Sequence, residues 1–84
     1  DVYKRQMDNS AKRYHQFLEI LGKNIRERRN VNGLSQEKLA FSVDTARNYI
    51  GCIERAEKNL SLKTLYKIAK ALDVKVEDLL KGTM

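Results

Sequence analysis

Hydrophobic positions recur along the chain in short helical stripes separated by polar breaks. From Tyr14 to Ile25 the apolar residues stand three and four apart, which is the spacing of one buried helix face, and Gly33 suits the left-handed end of that helix. The same spacing predicts a fourth helix after the cap residue Ser61 and a short last helix that ends before Gly82. The apolar positions are Tyr14, Phe17, Leu18, Leu21 and Ile25 in the first helix, Leu62, Leu65, Ile68, Ala69 and Leu72 in the fourth, and Val76, Leu79 and Leu80 in the last.

Two shorter stripes fill the centre of the chain, between residues 36 and 53. They consist of Leu39, Ala40 and Val43, then of Tyr49, Ile50 and Ile53. Ser35 is suited to cap the first of these helices. Asp44 and Thr45 suit the turn, because Asp tolerates a left-handed backbone and either side chain accepts a hydrogen bond from the next helix. The pattern predicts a helix-turn-helix whose second helix runs from about Thr45 to Arg55.

The second of these helices would turn a polar face away from the core. The outward residues are Ala46, Arg47, Asn48, Gly51 and Cys52, and no Asp or Glu occurs from Thr45 to Ile53. A helix without acids can enter a groove lined by phosphates. Arg bonds a guanine edge in two places and Asn does the same for adenine, so these residues are the candidates for reading bases.

Length and composition favour one small all-α domain. The chain has 84 residues, no proline and four glycines, and no run of alternating β-branched residues, so five helices joined by short connections are expected. We expect a single domain over residues 11–82. Residues 1–10 are expected to be a disordered leader, and Met7 would make a natural initiator.

The net charge favours a polyanionic partner. The scarcity of Cys and His argues against disulfides, metal sites and catalytic sites. The net charge is +6 and the pI is about 9.6, which points most simply to nucleic acid. Cys52 and His15 are the only residues of their types, so no disulfide, metal site, cofactor or catalytic set is expected, and an enzyme is disfavoured. No membrane span or secretory pattern is found, so we expect a cytoplasmic protein without a membrane partner.

The runs GLSQEKLA and RNYIGCIERAEKNLSLKTLYKIAKALDV resemble the phage repressor and Cro-like helix-turn-helix family, also called the xenobiotic-response-element family. Within it the chain looks most similar to controller proteins of restriction–modification systems. The resemblance covers about residues 21–80 and implies a five-helix, lambda-repressor-like DNA-binding domain with the helix-turn-helix at helices 2 and 3.

The resemblance also implies roles for individual residues. It implies that Gln36 grips the DNA backbone, that the exposed start of the third helix reads bases in the major groove, and that Glu54 pairs with Arg29. A carboxylate next to Ile53 would need such a partner in any case. The loop after the third helix would contact phosphates, which adds Arg55, Lys58, Asn59 and Lys63. Tyr49 packs, with its hydroxyl free to reach a phosphate.

The expected function is a transcription regulator that binds a two-fold operator on double-stranded DNA as a homodimer, because one recognition helix alone would bind weakly and select poorly. The dimer interface is expected at the C-terminal end, although internal core is an equal alternative for the same residues: Val74, Val76, Leu79 and Leu80. The alternative function is an antitoxin that binds a toxin protein and represses its own gene. A contact with a toxin or with RNA polymerase stays open.

Overall fold

A computed structural model describes the backbone of residues 2–84 and the side chains of residues 10–84. Five helices follow one another: α1 (Val2–Val31), α2 (Gln36–Ser42), α3 (Arg47–Glu54), α4 (Leu62–Leu72) and α5 (Val76–Leu79). Residues 2–84 contain no strand. The predicted all-α, five-helix fold with a helix-turn-helix at helices 2 and 3 is confirmed.

Helix α1 is longer than the apolar pattern predicted. Its bounds reach back to Val2, whereas the pattern begins at Tyr14. The predicted disordered leader falls on Asp1, which lies outside the described residues, and on a segment whose side chains are described only from Ser10. The division into a leader and a domain over residues 11–82 therefore stays a prediction.

One hydrophobic core joins all five helices. Its fully buried side chains are Ile25, Leu39, Ile50, Ile68, Leu72 and Leu79. Two residues predicted to lie on buried faces are instead exposed. Leu62 is 81% exposed, so the buried face of α4 begins one turn later, at Leu65. Tyr14 is 49% exposed, and its hydroxyl donates a hydrogen bond to Asn59 Oδ1 (2.9 Å).

Gly22 lets α1 lie directly against the end of α3. A Cβ atom at this position would stand 2.6 Å from the carbonyl oxygen of Ile53 and 2.7 Å from that of Glu54. These oxygens belong to backbone, which cannot move aside as a flexible side chain would. The close approach therefore needs glycine, and it fixes how far α3 stands out from the core.

Polar side chains hold the ends of the short helices. Ser35 Oγ accepts from the backbone N–H of Lys38 (3.0 Å) and Ser61 Oγ from that of Thr64 (3.1 Å), so both predicted caps are confirmed. Two asparagines act at the other ends, Asn24 in α1 and Asn32 just after it. Asn32 Nδ2 donates to the carbonyl of Leu72 (2.8 Å), which ends α4. Asn24 Nδ2 donates to the carbonyls of Leu79 and Lys81 (2.8 Å each), and this fastens α5 to α1.

The residues predicted to form a dimer interface divide into two groups. Leu79 is only 2% exposed and belongs to the core, so it is unavailable to a partner and the prediction for this residue was wrong. Val74, Val76 and Leu80 are half-buried and rest against the edge of the core.

Candidate nucleic-acid interface

The turn between α2 and α3 is built around a left-handed residue. Asp44 has φ 57°, as its position in the sequence predicted. The backbone N–H of Thr45 then returns to the carbonyl of Ala40 (2.9 Å), which closes the turn. The cap, however, was predicted wrongly. Ala46 is the N-cap of α3 and no side chain caps it, so α3 starts at Arg47 and not near Thr45.

The start of α3 carries the exposed face. Ala46, Arg47 and Asn48 are all exposed, while Ile50 on the opposite side is completely buried. Asn48, Cys52 and Arg55 stand at i, i+4 and i+7, so they form one stripe along the outer side of the helix. Cys52 is half-buried within this stripe. The structure therefore presents four of the five predicted base-reading residues together.

Gly51 does not belong to that surface. It is buried, and the amide of Gln36 and the guanidinium of Arg55 lie over it. A Cβ atom at Gly51 would stand 3.0 Å from Arg55 Nη1 and 3.6 Å from Gln36 Oε1. The prediction that Gly51 faces DNA was therefore wrong. Its missing side chain makes room for two polar groups that were expected to contact phosphates.

A buried ion pair between Arg29 and Glu54 holds the side chain of Gln36 through a hydrogen bond. Arg29 Nε and Nη2 donate to Glu54 Oε2 and Oε1 (2.7 and 3.0 Å), with side-chain exposures of 11% and 2%, so the expected pair forms. Arg29 Nη1 also donates to the carbonyl of Leu34 (2.9 Å). Gln36 Nε2 donates to Glu54 Oε1 (3.1 Å). A primary amide has two N–H bonds, so one donor of Gln36 stays free for a phosphate.

Arg47 shares a shallow cleft with the start of α2. The cleft is lined by Arg29, Ser35, Gln36, Glu37, Lys38 and Arg47. Arg47 is thus on the same side of the molecule as Gln36, the expected backbone clamp. Lys38, which sequence reasoning did not single out, adds a second exposed cation to this side.

The loop after α3 is fastened by two tyrosines. The Tyr14 hydroxyl donates a hydrogen bond to Asn59 Oδ1. The Tyr49 hydroxyl donates one to the backbone carbonyl of Asn59 (3.4 Å). Tyr49 is half-buried, which agrees with a packing residue whose hydroxyl faces the loop. Lys58 and Asn59 on this loop and Lys63 on α4 are exposed. Their contact with phosphates stays a prediction.

Arg55, the residue that follows α3, is not a free cation. Its guanidinium pairs with Glu57, with Nε to Oε2 at 3.0 Å and Nη2 to Oε1 at 3.2 Å. The hydrogen bond and charge of Glu57 raise the pKa of Arg55, and the hydrogen bond from Arg55 lowers the pKa of Glu57. Sequence reasoning missed Glu57. Nothing in the sequence marks the pairing, because it needs the left-handed backbone of Ala56 (φ 61°) between the two residues.

Other kinds of site find little support in the described part of the chain. No group of three or more His, Cys, Asp or Glu side chains there could hold a metal ion. Among the residues that were searched, no helix combines the length and apolarity of a membrane span.

Comparison with known proteins agrees with this geometry. A family model described as helix-turn-helix matches residues 25–79. Control protein C.SmaI of Serratia marcescens is 52% identical over 62 residues, which are 74% of this chain and 74% of that protein. The crystal structure of the restriction-modification controller protein C.AhdI from Aeromonas hydrophila superposes with a TM-score of 0.72 at 44% identity, over 74% of this chain and 94% of that one.

A second similar structure is that of SinR, a master regulator for biofilm formation, in complex with DNA. It has a TM-score of 0.69 and 35% identity, and the match covers 73% of this chain and 98% of that one. The family model covers more than half of the chain, and the first relative is well above 30% identical. The chain therefore belongs to the Cro/C1-type helix-turn-helix family.

Proposed function

We propose that the protein is a sequence-specific DNA-binding transcription regulator that places α3 in the major groove of a two-fold operator and binds as a homodimer. The observation that carries the proposal is the exposed, acid-free start of α3, where Ala46, Arg47 and Asn48 stand clear of a packed core. The DNA complex of the similar protein SinR supports the partner. The similarity to C.AhdI and C.SmaI supports control of a restriction–modification system.

The proposal gives the two sides of the interface different tasks. Arg47 and Asn48 supply donors and acceptors for base edges, with the methyl group of Ala46 beside them. Gln36 holds the backbone with the amide hydrogen that Glu54 does not use. Lys58, Asn59 and Lys63 extend the phosphate contacts on the other side of α3. Such contacts fix the register of the protein on the duplex and carry no base preference.

An antitoxin function is not proposed. The relatives and structures reported above are controllers and regulators by name, which favours a regulator. We propose a cytoplasmic location for the regulator, because its proposed partner is DNA. The presence of methyltransferase and endonuclease genes beside its gene tests the restriction–modification assignment, and unrelated neighbours would remove it.

Two substitutions test base reading against backbone binding. Wild-type protein first enriches a duplex from a random-sequence pool, and fluorescence anisotropy then measures affinity for that duplex and for single-base variants. Arg47→Ala should lose about 1–3 kcal/mol and relax the preference at one base pair. Gln36→Ala should weaken binding to all the duplexes alike. Equal loss on every duplex with Arg47→Ala would make Arg47 a phosphate contact, and failure of the wild-type protein to enrich any duplex would overturn the proposed function.

A further inference from the structure

Arg55 lies on the outer face of α3, although it follows the helix in sequence. Its side chain folds back so that Nη1 occupies the space above Gly51 and Nη2 comes within 3.8 Å of Cys52 Sγ. The guanidinium therefore sits on the exposed stripe that begins at Asn48. A phosphate that approaches this stripe meets the charge of Arg55 directly.

In the free protein, Glu57 forms an ion pair with this guanidinium. Its two carboxylate oxygens accept from two nitrogens of the guanidinium, at 3.0 and 3.2 Å, and both side chains remain about half exposed (56% and 53%). Carboxylate and phosphate bind a guanidinium in the same forked geometry. Glu57 thus occupies the Nε and Nη2 edge of Arg55, one of the two edges that could pair with a phosphate.

The backbone holds Glu57 in this place. Ala56 takes φ 61°, and the N–H of Glu57 donates to the carbonyl of Cys52 (2.8 Å). The chain therefore turns back at the end of α3, which brings residue 57 beside residue 55. A flexible loop would leave the Glu57 carboxylate in solvent. Here the hydrogen-bonded turn holds it beside the Arg55 guanidinium.

We propose that Glu57 competes with the DNA backbone for Arg55, so that docking on DNA exchanges one anion for another on the same guanidinium. The inference rests on the proposed function. Binding through Arg55 is weaker than an unpaired arginine would give, since the internal pair must open and a carboxylate is left near the phosphates. Glu57 is therefore a residue that sets affinity, and the exchange makes binding respond less steeply to salt than the cations alone would predict.

The test is Glu57→Gln, which keeps the shape of the side chain and removes its charge. On the duplex enriched by the wild-type protein, the variant should bind about three- to tenfold more tightly at low salt. The slope of log K against log salt should become more negative by up to about 1, since one more cation acts without an internal partner. The melting temperature checks that the exposed substitution leaves folding unchanged.

The matched control is Glu27→Gln. Glu27 is another exposed glutamate in an ion pair, with Lys23 (3.8 Å), and it lies beside residues of α5 instead of α3. This control makes the same change in net charge. If both variants tighten binding equally, the effect is that of total charge and the inference is overturned.

A double-mutant cycle decides whether Glu57 acts through Arg55. In an Arg55→Ala background, Glu57→Gln should change affinity by less than about twofold, because the contested guanidinium is gone. An undiminished gain in that background would show simple repulsion between Glu57 and DNA and would overturn the inference. If wild-type protein enriches a duplex and Glu57→Gln binds it unchanged, this inference fails while the proposed function stands. If wild-type protein enriches none, both fail.

Discussion

Ala56 holds a backbone conformation that L-residues with a Cβ atom rarely adopt. Its φ of 61° lies in the left-handed region, which costs a residue other than glycine about 1–2 kcal/mol. We expect Ala56→Gly to remove this strain. Ala71→Gly in the last turn of α4 should instead lower the free energy of unfolding by up to about 1 kcal/mol. Both variants gain the same freedom in the unfolded chain, so their difference in urea-induced unfolding isolates the strain.

The expected difference is about 1–2 kcal/mol in favour of Ala56→Gly. Each variant also loses one methyl group from a buried or half-buried site, so this loss largely cancels in the comparison. Equal destabilisation by the two substitutions would mean that the turn at Ala56 stores no strain.

Side-chain chemistry explains which residue conformations the sequence could predict. The left-handed turn at Asp44 was predictable because Asp tolerates that conformation. Ala56 gives no such signal, so the turn that returns Glu57 to Arg55 was missed. Gly51 was misjudged for a related reason. Helical spacing places it on the outward side, but in the folded protein the side chains of Gln36 and Arg55, from positions 15 residues before it and 4 residues after it, lie over it.

At the scale of elements, local capping chemistry and apolar spacing predicted three of the helix starts or stops well. Ser35 and Ser61 cap as expected, and Gly33 takes a left-handed φ of 71° just after α1. The start of α3 was predicted two residues early, because Ala46 serves as an N-cap without a side-chain bond. The crossing of α1 over α3 at Gly22 involves residues 31 positions apart, and no local pattern reports it.

The ion pair of Arg29 and Glu54 joins α1 to α3, and through Gln36 it also joins α2. We expect Arg29→Met to lower the free energy of unfolding by about 3–5 kcal/mol, because the buried carboxylate keeps only the hydrogen bond from Gln36. Adding Glu54→Leu should recover much of this loss, since the uncompensated charge is then removed. Urea-induced unfolding of the single and double variants measures both effects.

Lys23→Met provides the control for an exposed pair. Lys23 and Glu27 stand four residues apart on α1 with exposures of 63% and 61%, so the change should stay within about 0.5 kcal/mol. A loss below about 1 kcal/mol for Arg29→Met would show that the buried pair contributes little. A double variant as unstable as the single one would point to lost packing as the cause.

At the scale of the whole molecule, the basic surface is assembled by folding. The net charge of +6 comes from no single tract, and the cations near α3 come from separate elements: Lys38 on α2, Arg47 on α3, Lys58 on the following loop and Lys63 on α4. Composition therefore predicted a polyanionic partner, while the place of contact needed the helix-turn-helix motif. The two acids at the end of α3 are paired within the protein, Glu54 with Arg29 and Glu57 with Arg55.

The proposed function requires a dimer, and its interface is expected at the C-terminal end of the chain. The side chains of Val74, Val76 and Leu80 remain partly exposed at the edge of the core, near the end where α5 packs on α1. They suit a small apolar interface between two copies. Two α3 helices set about one DNA turn apart by a two-fold axis would then read both halves of the operator.

Val76→Lys tests that interface, since a charge buried between two apolar surfaces is strongly unfavourable. Val76 is the first residue of α5, and Leu62→Lys makes a matched change at the first residue of α4, where the side chain is already exposed. Sedimentation without DNA should show a dimer dissociation constant raised about tenfold or more for Val76→Lys and unchanged for Leu62→Lys. The affinity of Val76→Lys for a duplex with two half-sites should fall, because fewer dimers form. Its affinity for a single half-site should stay unchanged. If Val76→Lys folds and dimerises like the wild type, the two copies must meet through another surface, and the proposed C-terminal interface is wrong.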